Sequence, residues 1–213
     1  MLLLVGLGNP GSEYRDNRHN VGFMAVDAIH GHWRLPPFRK KFLGEAAEGS
    51  IGGAKVLVLK PMTYMNDSGR SVQAAMAFYK LSPADVCVFH DEMDLEAAKV
   101  RVKMGGGHAG HNGIRDIQAH IGPDFRRVRI GVGHPGNKDR VIGHVLKDFG
   151  KAEADWRDRL LDALAREVPL LIAGDDAGYM SKVALAVKPP RPKAGKDNDN
   201  GGADGVGASE KKD

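Results

Sequence analysis

Apolar positions recur along this chain with two periods, and the switches between them mark its elements. Residues 2–7 form a continuous apolar run that predicts a buried first strand, followed by a long Gly/Asn/Pro loop. Val21, Met24, Ala25, Ala28 and Ile29 then fall at helical spacing, so a helix is expected over 21–32. Residues 33–42 read as a basic, proline-containing connector, and 45–50 with 55–60 flank Gly52-Gly53 as a hairpin. Asn66 to Gly69 is expected to cap a helix running to Tyr79, with Val72, Ala75 and Met76 on its apolar face. A second buried strand covers 86–89 and ends at His90-Asp91.

Alternation returns at 99–103 and 127–132, on either side of a short helix over 114–121. A long amphipathic helix closes the pattern at 152–173, with Trp156, Leu160, Leu161, Leu164 and Val168 in one stripe and acids in its first turn. Strands alternating with helices, plus one hairpin, predict an α/β fold: a single three-layer domain over 1–188 whose mixed sheet is flanked by helices. From Pro189 to Asp213 the residues are polar or small, and Val206 is the only large apolar one. Such a stretch cannot bury enough surface to offset its ordering entropy, which predicts a disordered C-terminal tail over 189–213.

Composition sharpens this picture at four points. A length of 213 residues suits one self-supporting core. The apolar run at the start lacks a basic flank and breaks at Gly6, too short for a signal peptide or a membrane span, so no membrane partner is expected. The single cysteine, Cys87, sits in an apolar run, where core filling is its expected role; no internal disulfide is possible, consistent with a reducing cytoplasm. Net charge is only +4, yet between Lys99 and Lys147 ten Lys or Arg face three Asp. That local excess, with Lys103 beside a glycine loop and three arginines in 126–129, favours a phosphate-bearing substrate over a merely solvated face.

The candidate chemistry lies in four short stretches. Gly6-Leu-Gly-Asn-Pro-Gly11 leads on to Arg18-His19-Asn20; Met65-Asn66, His90-Asp91-Glu92 and the loop 105–113 follow. Together they supply a general base, a carboxylate to orient it, and amides able to bind a carbonyl. Singly, His19, Asp91, Asn66 and Asn112 read as ordinary surface, cap or turn residues; their grouping carries the argument. The set points to water-mediated hydrolysis of an acyl bond.

Three rival chemistries fit less well. Gly6-x-Gly8-x-x-Gly11 matches the dinucleotide fingerprint after a strand, with Asp27 as a ribose acid. That motif needs a helix to begin inside it, whereas Asn9-Pro-Gly11 is a turn and Asp27 falls within a helical pattern. His90, Asp91, His108 and His111 could ligate a metal, but His108-x-x-His111 sits on a glycine loop with no rigid element to present it; no metal and no cofactor is expected. Covalent catalysis lacks a nucleophile elbow, and Cys87 lies mid-strand.

Six ordered motifs then carry a resemblance. They are Val5-Gly-Leu-Gly-Asn-Pro-Gly-x-x-Tyr14, Arg18-His-Asn-x-Gly22, Lys60-Pro-x-Thr-Tyr-Met-Asn-x-Ser-Gly69, His90-Asp-Glu-x-Asp94, the loop 105–113 and Arg129-Ile-Gly-x-Gly-His-Pro-Gly136. Over roughly 2–186 the chain resembles bacterial-type peptidyl-tRNA hydrolase. The resemblance implies a carboxylic-ester hydrolase that cuts the bond between a peptide, or an N-blocked amino acid, and the 3′ ribose of tRNA, freeing tRNA from abandoned translation. It implies His19 as the base acting on water, Asp91 as its orienting partner and Asn9 as a contact to the acyl chain. Tyr14, Tyr64, Asn66 and Asn112 would line the site for the 3′ end. Charge and position add Lys103 and Arg129 as phosphate contacts. The expected partner is therefore a peptidyl- or N-blocked aminoacyl-tRNA, met by a cytoplasmic monomer. A non-catalytic RNA-binding protein and, further off, a nicotinamide-dependent oxidoreductase are the alternatives.

Overall fold

The computed structural model describes residues 1–134, 136 and 141–188; the tail expected over 189–213 lies outside them. The strands are β1 (Leu2–Gly6), β2 (Arg39–Lys41), β3 (Gly44–Ile51), β4 (Ala54–Pro61), β5 (Val86–Glu92), β6 (Val100–Met104) and β7 (Arg126–Gly131). They form one seven-stranded sheet in the order β2-β3-β4-β1-β5-β7-β6. Strands β4, β1, β5 and β7 are parallel neighbours, while β2, β3 and β6 pair antiparallel at the two sides. The helices are α1 (Val21–His32), α2 (Ser68–Tyr79), α3 (Asn112–Ile121), α4 (Val141–Val145), α5 (Ala154–Ile172) and α6 (Asp176–Val187).

The period of two in the central strands divides the core into two layers. Leu4 of β1, Val56 and Val58 of β4, and Cys87 and Phe89 of β5 pack with α1, α5 and α6 on one face. Leu3, Val5, Leu57, Leu59, Val86 and Val88 pack with α2 and α3 on the other. Both faces of the parallel strands are covered, which is why they read as unbroken apolar runs. The mixed three-layer α/β sheet is as the sequence predicts.

Gly6 and Gly22 make the active end of the sheet possible. A Cβ on Gly22 would lie 2.3 Å from the Phe89 carbonyl oxygen and 2.5 Å from the Leu7 nitrogen; one on Gly6 would lie 2.3 Å from the Gly22 oxygen. The start of α1 therefore sits directly on the carboxyl ends of β1 and β5, at van der Waals contact with their backbone. This disposes of the dinucleotide fingerprint physically. Only 3-10 turns, Ser12–Tyr14 and Arg18–Asn20, follow the motif, and the helix begins at Val21. Asp27 lies inside α1 and pairs with Lys60 at 2.8 Å.

Several elements differ from the sequence expectation. Strand β5 continues through His90 and Asp91 to Glu92, because β7 keeps pairing with it as far as Glu92 opposite Gly131. The connector 33–42 contains the exposed edge strand β2, whose Arg-Lys-Lys sequence has no apolar alternation to betray it. Helix α2 starts at Ser68, and its Gly69 N–H donates to Asp116 Oδ2 at 2.6 Å instead of to an Asn66 cap. Helix α6 was unforeseen although its signals were present: Gly174 at φ 82° ends α5, and the Asp175 carboxylate caps α6 by accepting from the Gly178 N–H. In α5, Pro169 cannot donate to the Ala165 carbonyl four residues earlier; the Trp33 indole N–H donates to it at 2.9 Å instead.

Candidate active site

A cleft of about 350 Å³ opens at the carboxyl ends of β1 and β5. Into it the fold brings Asn9 from the loop after β1, His19 from the 3-10 turn preceding α1, and Asp91 from β5. Tyr64 and Asn66 come from the turn before α2, and Asn112 is the first residue of α3. Tyr64 is 65% exposed and stands at the rim, a flat apolar face available for stacking.

The hydrogen bonds fix how these groups point. His19 Nδ1 lies 2.8 Å from Asp91 Oδ1, and Nε2 carries no hydrogen bond among the described residues. With Nδ1–H donating to the carboxylate, the Nε2 lone pair is the ring's free basic position. Asn9 Oδ1 accepts from the Met65 N–H at 2.8 Å, which turns the Asn9 NH₂ into a donor for the cleft. The Asn9 backbone is held on both sides by the buried Asn20, whose Oδ1 accepts from the Asn9 N–H and whose NH₂ donates to the Asn9 carbonyl, each at 2.9 Å. Asn112 Oδ1 accepts from Arg115 at 2.8 Å, leaving its NH₂ free likewise.

Electrostatics follow from burial and this one carboxylate. Burial is the largest single influence on His19 and pushes its pKa down, but the Asp91 charge and hydrogen bond together outweigh it and hold the imidazole above its ordinary 6.5. Burial likewise pushes Asp91 up; the facing His19 and His111 charges and their hydrogen bonds overcome this and keep it well below the usual carboxylate range. Burial and the neighbouring His111 push His90 down to about 3, so it stays neutral, its Nδ1–H donating to the Asp91 carbonyl at 2.8 Å.

His111 is the residue the sequence reading underused, seen there only as a possible metal ligand. Its Nε2 lies 2.9 Å from the same Asp91 Oδ1 that His19 holds. Its Nδ1 accepts from the Ile114 N–H, so it caps α3 and carries its proton on Nε2. The three ligand atoms of His19, Asp91 and His111 lie within 4.8 Å of one another, which is metal-like spacing. Yet the His111 nitrogen in that cluster is a protonated donor, so the arrangement is a hydrogen-bonded pair converging on a carboxylate. The supposed His108 partner is elsewhere: its Nδ1 accepts from the Gly110 N–H.

Not every expected residue enters the cleft. Tyr14 lies in the turn Ser12–Tyr14, outside the lining. Lys103 and Arg129 line a neighbouring recess of about 330 Å³ that meets the cleft at Glu92 and Ala109. Lys103 is exposed there, and Arg129 is paired with Glu92 at 2.9 Å. The other arginines of 126–129 are spent on structure: Arg127 is 3% exposed and donates to the Gly106 and Gly107 carbonyls, and Arg126 donates to the Leu171 carbonyl. The glycine loop 105–113 is thus pinned through its Gly106 and Gly107 carbonyls by Arg127.

Arg18, unassigned from sequence beyond its motif, ties down the far wall. It pairs with Glu153 at 2.5 Å and donates to the His144 and Lys147 carbonyls. Beside it, Asn17 donates to Asp148 at 2.7 Å. These bonds hold α4 and the segment after it against the His19 turn, placing Val145 and Leu146 on the cleft. Among the described residues no helix is long and apolar enough to cross a membrane.

Known proteins resemble this chain in sequence and in fold. The family model described as peptidyl-tRNA hydrolase matches residues 3–192. The chain is 60% identical over 203 residues to the peptidyl-tRNA hydrolase of Parvibaculum lavamentivorans, covering 95% of this chain and 99% of that one. To the same-named protein of Rhodospirillum centenum it is 56% identical, over 90% of this chain and 84% of that one. A crystal structure of peptidyl-tRNA hydrolase from Acinetobacter baumannii superposes with a TM-score of 0.80 at 45% identity, covering 86% of this chain and 94% of that one.

Proposed function

The chain belongs to the peptidyl-tRNA hydrolase family and hydrolyses the ester of peptidyl-tRNA; we propose that His19 does this as a general base on water, oriented by Asp91. The observation that carries the reading is the pairing of His19 Nδ1 with Asp91 Oδ1 at 2.8 Å, beside the Asn9 amide at the same cleft.

His19 Nε2 removes a proton from a water molecule as that water's oxygen bonds to the ester carbonyl carbon. The negative charge moves to the carbonyl oxygen, where the NH₂ groups of Asn9, Asn66 and Asn112 are the available donors; a well-placed donor of this kind contributes roughly 3 kcal/mol to the transition state. Collapse breaks the bond to the ribose oxygen, which takes the proton from His19. The products are a peptide acid and free tRNA. Asp91 stays ionised throughout; it stabilises the transient imidazolium and holds the tautomer. Neither a metal nor a cofactor is needed for this sequence.

Lys103 and Arg129 serve as phosphate contacts, with Tyr64 toward the 3′ end, and the protein acts as a cytoplasmic monomer rescuing tRNA from abandoned translation. The hydrolase domain covers 1–188, with 189–213 outside it. The only cysteine, Cys87, is buried.

The test is single-turnover hydrolysis of N-acetyl-aminoacyl-tRNA by His19→Ala, with tRNA binding measured alongside. The rate falls by on the order of 10² or more while binding holds. Near-parental turnover would remove His19 from the chemistry.

A further inference from the structure

Among the described residues two recesses adjoin the catalytic cleft, and they differ in kind. Past Glu92 and Ala109 it meets the recess holding Lys103 and Arg129. Past Asn9 it meets a second recess, of about 370 Å³, lined by Pro10, Phe23, Met24, Lys60 and Met62 among others. An ester has two sides as well. One carries a polyanion, the other a peptide of variable sequence.

We propose that the peptide leaves the ester past Asn9 and lies in this second recess, with Met24 and Met62 contacting the residue next upstream of the esterified one. The proposal rests on the hydrolytic reading of the cleft. Charge decides the direction. The recess past Glu92 sets Lys103, Arg127 and Arg129 against Glu92, whereas this one sets Arg15 and Lys60 against Asp16, Asp27 and Glu45, with Lys60 14% exposed and held by Asp27 at 2.8 Å and Glu45 at 3.2 Å. The balance of side-chain charge is positive in the first recess and negative in this one, which leaves its wall unsuited to phosphate. Nucleic acid therefore takes the cationic side, and the acyl chain the other.

The surface chemistry fits that occupant. The recess falls within the size range of sites that bury small ligands. Its apolar contacts come largely from two methionines, whose unbranched thioether chains adapt to differently shaped partners. Met62 is 40% exposed, so its thioether chain is accessible to a ligand in the recess. Asn9 stands between the two spaces with its backbone fixed by Asn20, so it is placed to hold the chain where it passes from one to the other.

The experiment compares kcat/KM for N-acetyl-leucyl-alanyl-tRNA with that for N-acetyl-alanyl-tRNA, whose acetyl group stops near Asn9. In the parent the longer substrate is favoured, and Met62→Asp brings the ratio of the two down by roughly tenfold, toward one. Met62→Leu restores it. A parental ratio of one, or a ratio that Met62→Asp leaves unchanged, overturns the proposal. Failure of the hydrolytic reading looks different, since it would show as His19→Ala retaining activity on both substrates.

Discussion

Asp91 presents a single oxygen, Oδ1, to His19 at 2.8 Å, and that oxygen also accepts the Nε2–H of His111 at 2.9 Å. Two imidazole donors from different loops converge on one buried carboxylate at the end of a central strand. Each donor restricts the carboxylate rotamer, and the carboxylate in turn restricts both rings. The His19 tautomer is thereby set by a buried residue of the central sheet.

This sharing makes His111 a positioning residue. His111→Ala should lower kcat by about tenfold, with a smaller effect on KM, because Asp91 loses one of its two constraints. Loss of the cap on α3 should cost about 1 kcal/mol of stability as well. Steady-state kinetics with thermal unfolding checks both, and an unchanged kcat would reduce His111 to a helix cap.

Chelation addresses the metal-like spacing of His19, Asp91 and His111 directly. Because the His111 nitrogen there carries a proton, prolonged EDTA treatment should leave hydrolysis unchanged. Activity that disappears on chelation and returns with zinc would mean that the cluster binds a cation and that the proton assignment is wrong.

The cationic recess makes a salt-dependent prediction. Lys103→Ala and Arg129→Ala should each raise KM for full-length peptidyl-tRNA, by a similar factor across different tRNAs, and flatten the salt dependence of affinity by about one counterion. Lys103→Ala should show the cleaner effect, since Arg129→Ala also leaves Glu92 without its partner. An unchanged slope in both variants would remove the recess from the tRNA path.

The parts of the molecule legible in the sequence are those where local pattern and tertiary role coincide. Helix α1 was readable to its ends because its apolar spacing is the spacing of its buried face, and the hairpin because Gly52-Gly53 marks its turn. Helix α6 was missed because it buries only Tyr179 and Val183 and so shows little stripe. His19, Asp91 and Asn9 could be nominated from residue type and company. The role of His111 could not, because it depends on α3 delivering a side chain to a strand twenty residues away in sequence. Arg127 misled for the opposite reason: composition records its charge, and only packing reveals that the charge is spent on Gly106 and Gly107.

The most direct test of the His19–Asp91 pair is the pH dependence of kcat/KM for the parent beside that for Asp91→Asn. A general base must be neutral, so activity is lost as pH falls through the His19 pKa. Asp91 holds that pKa above 6.5, and the parental acid limb should therefore lie above pH 6.5. In Asp91→Asn the opposing charge is gone, and burial alone lowers the imidazole. The limb should move to lower pH, while the plateau drops by on the order of 10² because an amide admits the wrong tautomer. An acid limb at the same pH in both proteins, with similar plateaus, would contradict the assignment of Asp91 as the group that orients and tunes His19.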